Sequence, residues 1–301
     1  MSESNLRVFL ACTTSLCLSL PATAQSFPAA PDHGKLLATG GVATVEAAGG
    51  GGLSPWALIS GYGSEDSYGI TAHVSTLRTQ DYQLKTGGIA LGIADKLELS
   101  LGQQQLSGSR APLDQLVLAQ DIVGIKLKLS GDPVADQDRW QPQIAIGALY
   151  KHDHRLAGLA ALGVDNVRQL GAVDTHGIDY YLAASKLLLA NSLLLNGTIR
   201  LSKANQMGLL GFGGDLHDRY QIMPEVSLAY LLERHWVGGI EYRAKPRNLS
   251  VDQEKAYYDA FLAWFPNKHV SLTLAYVTLG DITIFNPAKQ RGWYLSLQTG
   301  Y

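Results

Sequence analysis

Trp293-Tyr294-Leu295-Ser296-Leu297-Gln298-Thr299-Gly300-Tyr301 alternates without a break. An extended chain repeats every two residues. Trp293, Leu295, Leu297, Thr299 and Tyr301 therefore share one face, and Tyr294, Ser296, Gln298 and Gly300 the other. The first face is apolar, with an aromatic at each end; the second is mostly small or polar. A strand needs this division when lipid wets one side and a lumen the other. The stretch predicts an all-β protein, a transmembrane antiparallel β-barrel.

Toward the N-terminus the same pattern recurs at residues 41–47, 56–61, 68–78, 82–94, 97–106, 122–129, 143–150, 178–188, 193–202, 220–232, 236–245, 256–265 and 269–279. With 292–301 this makes about 14 strands, or 12 if the first two drop out; bacterial barrels have even counts. Connection lengths provide an independent check, because such barrels have short periplasmic turns and longer outer loops. With Tyr301 at the periplasm, the short links 266–268, 233–235, 189–192 and 95–96 fall on that side. Loops 280–291, 246–255, 203–219, 151–177 and 107–121 fall outside. Two links run against the rule: 79–81 is short but outside, and 130–142 is long but inside.

Aromatics sort by depth. Tyr220, Tyr242, Tyr258, Tyr276 and Trp293 are expected at the outer interface, and Tyr230, Trp236, Trp264 and Tyr301 at the inner one, where amphipathic rings are favoured. Lys186 shares the lipid face of its strand and is expected to reach the inner headgroups. On the lumen side Arg200, Glu225, Glu241, Arg243 and Asp259 come from four successive strands, in the outer half. They make either a bracing network or a charged constriction. Glu98 and Lys128, with Lys126 above them, are expected as a lumen pair near the periplasmic end.

The N-terminus reads as a secretory signal: Arg7, an apolar run Val8–Leu20, and the small-residue site Ala22-Thr23-Ala24. Three regions follow: a signal peptide at 1–24, a periplasmic segment at 25–40 and the barrel at 41–301. Both cysteines, Cys12 and Cys17, lie in the signal, so the mature chain is expected to hold no disulfide and no thiolate metal site. The remaining chain has no apolar run near the roughly 18 residues that a membrane helix needs. The formal net charge of -2 argues against nucleic acid as the main partner. The expected partners are outer-membrane lipid and lipopolysaccharide, with the barrel-assembly machinery reading the C-terminal strand; the protein is expected to act as a monomer.

Candidate chemistry is sparse. His73 and Ser75 share a strand face, as a nucleophile and its base would, but on the lumen side, away from lipid. His152, Asp153, His154, Asp174 and His176 in one outer loop are suitable metal ligands in no specific spacing. The same loop has an apolar middle, Leu156–Val164, which could fold into the lumen. Asp132, Asp136 and Asp138 form an acidic turn without the spacing of a calcium loop. Gly49–Gly52 reads as a flexible connection, and Asn196-Gly197-Thr198 as a chance glycosylation match within a strand. No catalytic, cofactor or metal residue is assigned, and an enzyme is not expected.

Several stretches resemble a known family: Leu36-Leu37-Ala38-Thr39-Gly40-Gly41-Val42, Leu53-Ser54-Pro55-Trp56-Ala57-Leu58-Ile59, Leu193–Thr198, Gly208–Asp215, Phe265–His269 and Gln290–Leu297. They are similar to an uncharacterised family of proteobacterial proteins, classed as a domain of unknown function. The resemblance implies an outer-membrane protein of a Gram-negative bacterium and carries over no catalytic residues. The expected function is a passive channel or porin for small solutes. The alternatives are a transporter of apolar compounds, for which residues 25–40 are short as a plug, a lipid-modifying enzyme, and a closed structural barrel with binding loops.

Overall fold

The computed structural model describes residues 34–301 apart from 112, 138, 161, 162, 254, 255 and 285. The expected signal peptide, both cysteines, most of segment 25–40 and Asp138 of the acidic turn lie outside the described residues. A two-residue pair, β1 (Val42–Ala43) and β2 (Gly49–Gly50), precedes the wall. The wall consists of β3 (Tyr68–Thr79), β4 (Tyr82–Ile93), β5 (Leu97–Gly108), β6 (Val117–Ser130), β7 (Gln143–Ala157), β8 (His176–Leu188), β9 (Leu193–Ser202), β10 (Gln221–Glu233), β11 (Trp236–Ala244), β12 (Ala256–Asn267), β13 (Val270–Thr283) and β14 (Asn286–Gly300). Each strand pairs antiparallel with its neighbours in sequence. β14 closes the barrel on β3, from Gly292 opposite Thr79 to Gly300 opposite Thr71.

Burial is inverted relative to a water-soluble fold. Val74, Val226, Ile240, Leu295 and Leu297 are between 45% and 56% exposed on the outside, while Ser227, Thr198, Ser296 and Glu225 are buried inside. Only lipid makes such a surface favourable, because a contiguous apolar belt is excluded from water. The closed ladder leaves no unpaired strand edge within it. Local turn chemistry helps set the register. Ala94 and Asp95 both take positive φ (52° and 46°), and Lys96 N–H donates to the Ile93 carbonyl at 3.0 Å. This is the twist-matched two-residue hairpin turn.

The strand count is twelve, the smaller of the two expected. Segments 41–47 and 56–61 do not join the wall, which begins at Tyr68 rather than Gly41. They have seven and six residues, and a tilted membrane strand needs about 9–11. Both fold into the lumen. Several outer loops are shorter than expected because the strands run on past the rim: β7 to Ala157, β13 to Thr283 and β14 from Asn286. The long loop 131–142, at the end expected to face the periplasm, is tied down by Lys186, whose Nζ donates to the carbonyls of Asp136 and Arg139 at 2.7 and 2.6 Å.

An eight-stranded barrel fills its bore with its own side chains, but twelve strands leave space. Here residues 41–61 fill it as a plug. Its Val42, Val45, Trp56, Ala57, Leu58 and Ile59 are buried. The wall yields to it at the cross-strand pair Gly88 and Gly102, where an added Cβ would come within 2.6 and 2.7 Å of Ala47 Cβ. Gly49–Gly52, expected as a flexible connection, is instead buried inside this plug.

Candidate functional site

The plug enters from the end expected to face the periplasm, where Lys35 pairs with Asp95 at 2.7 Å. Its polar backbone needs partners inside the barrel, and lumen side chains supply them. Glu98 on β5 accepts from the Gly49 and Ser60 N–H groups at 2.9 and 2.8 Å. Lys126 on β6 donates to the carbonyls of Gly49 and Leu58, both at 2.8 Å, and pairs with Glu98 at 3.1 Å. Gln143 on β7 and Ser185 on β8 hold the Ala57 carbonyl and N–H. Thr198 on β9 donates to the Pro55 carbonyl, and Gln298 on β14 accepts from the Ala43 N–H. The plug is thus bonded to strands around most of the bore.

Glu46 is its one charged group between Gly41 and Gly61 and is fully buried. Arg243 on β11 grips it with two bonds, Nη1 to Oε2 at 2.8 Å and Nη2 to Oε1 at 3.0 Å. Arg200 on β9 adds a contact at 3.2 Å, and Lys151 on β7 pairs with Oε1. Asp179 on β8 pairs with Lys151 at 2.7 Å and Arg200 at 3.3 Å. Glu225 on β10 pairs with Arg200 and, at 3.5 Å, with Arg243. Three cations thus meet three carboxylates, one of them from the plug. The wall alone presents three cations and two acids at this point, so the seat is complementary to the charge it receives. Buried ion pairs add little net stability over apolar packing, but removing one partner costs about 3–5 kcal/mol. The cluster therefore fixes position more than it adds stability.

The structure brings together Arg200, Glu225 and Arg243 of the expected lumen charges. It sets Glu241 and Asp259 apart from them. Glu241 accepts from the Leu53 N–H at 2.7 Å and from the Ser227 hydroxyl at 2.6 Å, and Ser227 in turn accepts from Trp56 Nε1 at 3.0 Å. Asp259 stands opposite Glu241 across the β11–β12 ladder. The expected pairing of Glu98 with Lys128 is corrected: register puts Glu98 opposite Lys126, and Lys128 pairs with Asp95 at the periplasmic turn. Glu46, Lys151 and Asp179 were not singled out from sequence. Lys151 continues the inward phase of β7 beyond Tyr150, where that strand was expected to end, and Asp179 lies in the inward phase of β8.

The expected interface aromatics lie on the outer surface, with ring pairs Tyr242–Tyr258 and Tyr276–Trp293 at 5.1 Å toward one rim and Trp236–Trp264 at 5.9 Å toward the other. Tyr220 and Tyr230 are exposed, and Tyr301 is near His269. His73 and Ser75 are buried on the lumen side. Ser75 bonds Ser296 and Tyr294, while His73 Nε2 has no partner, so the two do not form a nucleophile–base pair. His152, His154 and His176 lie near one another, with ring centroids 6.4 and 6.5 Å apart. Among the described residues, no group of three or more His, Cys, Asp or Glu gathers to hold a metal. Asp132 and Asp136 accept backbone N–H bonds within their own turn.

Cavities lie on both sides of the plug. Toward the outer end, one of about 40 Å³ is bounded by Val45 and Leu53 of the plug and by Leu77, Asp259, Phe261 and Val277 of the wall. A second, of about 50 Å³, continues outward and shares Leu77, Leu84, Met207 and Leu279 with the first. On the periplasmic side, a vestibule of about 310 Å³ is bounded by Lys35, Leu58, Ile59, Asp95 and Gln143.

Among solved structures, the chain is similar to the KdgM porin (9% identity, 77% of this chain and 99% of that one, TM-score 0.48) and to the NanC porin (8%, 76% and 98%, 0.49). It is also similar to outer membrane phospholipase A from Escherichia coli (9%, 80% and 94%, 0.39). No curated protein matches the chain in sequence. A family model covers residues 39–298, and the chain belongs to that family, the proteins of unknown function designated DUF3034.

Proposed function

We propose that the protein is a plugged outer-membrane channel of a Gram-negative bacterium, passing small solutes when residues 41–61 shift from the bore. The observation that carries this reading is the position of the plug. It separates an outer pair of cavities from a periplasmic vestibule, and wall charges that would be unbalanced without it hold it there. A barrel braced only for rigidity has no need of compartments on both sides of its filling. The outer compartment is walled largely by Leu77, Leu84, Phe261 and Val277, which favours solutes with an apolar part.

The test is planar-bilayer recording on the refolded mature chain beside Glu46→Gln and Glu46→Lys. Each variant is first checked for native strand content by circular dichroism. Rare openings in the native protein, more frequent in Glu46→Gln and most frequent in Glu46→Lys, support the reading, since lysine adds a fourth cation to the seat. Silence from all three folded proteins overturns it in favour of a closed structural barrel.

A further inference from the structure

We infer that the cavity outward of the plug is a binding site for small primary ammonium compounds carrying a short apolar body, with Asp259 as the group that receives the ammonium. The inference rests on the plugged-channel reading and names the class of solute it would pass.

The argument starts from which carboxylates have partners. Glu46, Glu98, Asp179 and Glu225 each pair with a lysine or arginine. Glu241 has no such pair among the described residues, but it accepts from Leu53 N–H and Ser227. Asp259 forms no ion pair among the described residues, and its Oδ1 is buried without a hydrogen bond. It also faces Glu241 directly across the ladder, an arrangement of like charges that is unfavourable. As an anion, a half-buried carboxylate with one oxygen lacking a donor and no cation beside it is costly. A cation placed beside Asp259 removes both penalties.

The walls decide which cation. A hard metal ion wants six or more oxygen ligands. This cavity offers one carboxylate and the hydroxyl of Thr273 in a lining otherwise dominated by apolar side chains such as Leu77, Leu84, Phe261 and Val277. An alkyl- or arylammonium ion matches both parts. Size agrees as well. A water needs about 10–15 Å³ on this measure, so a cavity of about 40 Å³ takes an ammonium head and its first carbons. The adjoining cavity of about 50 Å³, past Leu77 and Leu84, takes a few carbons more.

The experiment is calorimetric titration of the full mature chain in phosphatidylcholine nanodiscs with n-butylammonium, n-butanol and n-butyrate, with protein-free discs as baseline. The proteins are native, Asp259→Asn and Val277→Phe; asparagine keeps the shape of the carboxylate, and phenylalanine fills the cavity without touching charge. Saturable binding of n-butylammonium to the native protein, weakened at least tenfold in both variants and absent for the other two probes, supports the site. Equal affinity in Asp259→Asn, or n-butanol binding as well as n-butylammonium, overturns it. No n-butylammonium binding while the Glu46 variants conduct would remove this inference and leave the channel reading standing. Binding with silent bilayers would keep the site and remove the channel.

Discussion

Gly51 lies in the plug between Glu241 and Trp56. A Cβ there would stand 2.4 Å from Glu241 Oε1 and 2.5 Å from the Trp56 ring. The indole cannot swing aside freely, because its Nε1–H is bonded to Ser227, which is bonded to the same Glu241. Gly51→Ala is therefore expected to destabilise by about 1–3 kcal/mol, the usual cost of overpacking a tight interior. Gly197→Ala is the control: nothing lies within 4 Å of its added methyl, and filling a mid-strand glycine is worth roughly 0.5–1 kcal/mol in the other direction. Urea titration followed by tryptophan fluorescence checks both. A Gly51→Ala protein as stable as the native one would mean that the plug has slack. At this scale the sequence was only partly legible. The inward phase revealed Arg200, Glu225 and Arg243, because each lies on a regular strand. Glu46 lies on none. The expected strand 41–47 that contains it does not join the wall, and only the closed bore gives it three cations.

β14 shows how depth acts within one strand. Trp293 near one rim and Tyr301 near the other put Leu297 about halfway, 49% exposed to lipid. An arginine at the bilayer midplane of a barrel costs about 2–4 kcal/mol and near an interface about 0–1. Leu297→Arg is accordingly expected to lose most of that range, and Ile222→Arg, at the outer end of β10, almost none. The native Arg78 opposite Trp293 already occupies such a rim position. Refolding yield and urea midpoint in lipid vesicles measure the gradient; equal losses at both sites would place the membrane band elsewhere on the wall. Strand identity was the most legible layer of this protein, since lipid on one side and polar lumen on the other impose period two on all twelve wall strands. The segments at 41–47 and 56–61 alternate in sequence too, although every residue of both is buried. Their length, not their pattern, was the signal that they cannot span.

For the whole molecule, the question is what holds the filling in the bore and under which conditions it lets go. Residues 25–40 alone were too few for a plug. Once the wall begins at Tyr68, twenty-seven more residues lie ahead of it (41 to 67), and the bore takes in 41–61. Burial alone pushes the Glu46 carboxyl up, but Arg243, Lys151 and Arg200 outweigh it and hold the group well below the usual carboxylate range. Released into water, Glu46 returns to a pKa of about 4.3. The seated plug therefore binds fewer protons than the released one. Its latch is fully present above that value and weakens as pH falls through it. The native channel is expected to stay closed from about pH 8 to about pH 5 and to open increasingly below about pH 4. Glu46→Gln, with no carboxyl to protonate there, is expected to lose this acid-dependent step while keeping its higher opening rate. Bilayer recordings across that range decide it. Openings that rise between pH 7 and pH 5, or an acid response unchanged in Glu46→Gln, would assign the latch to another group.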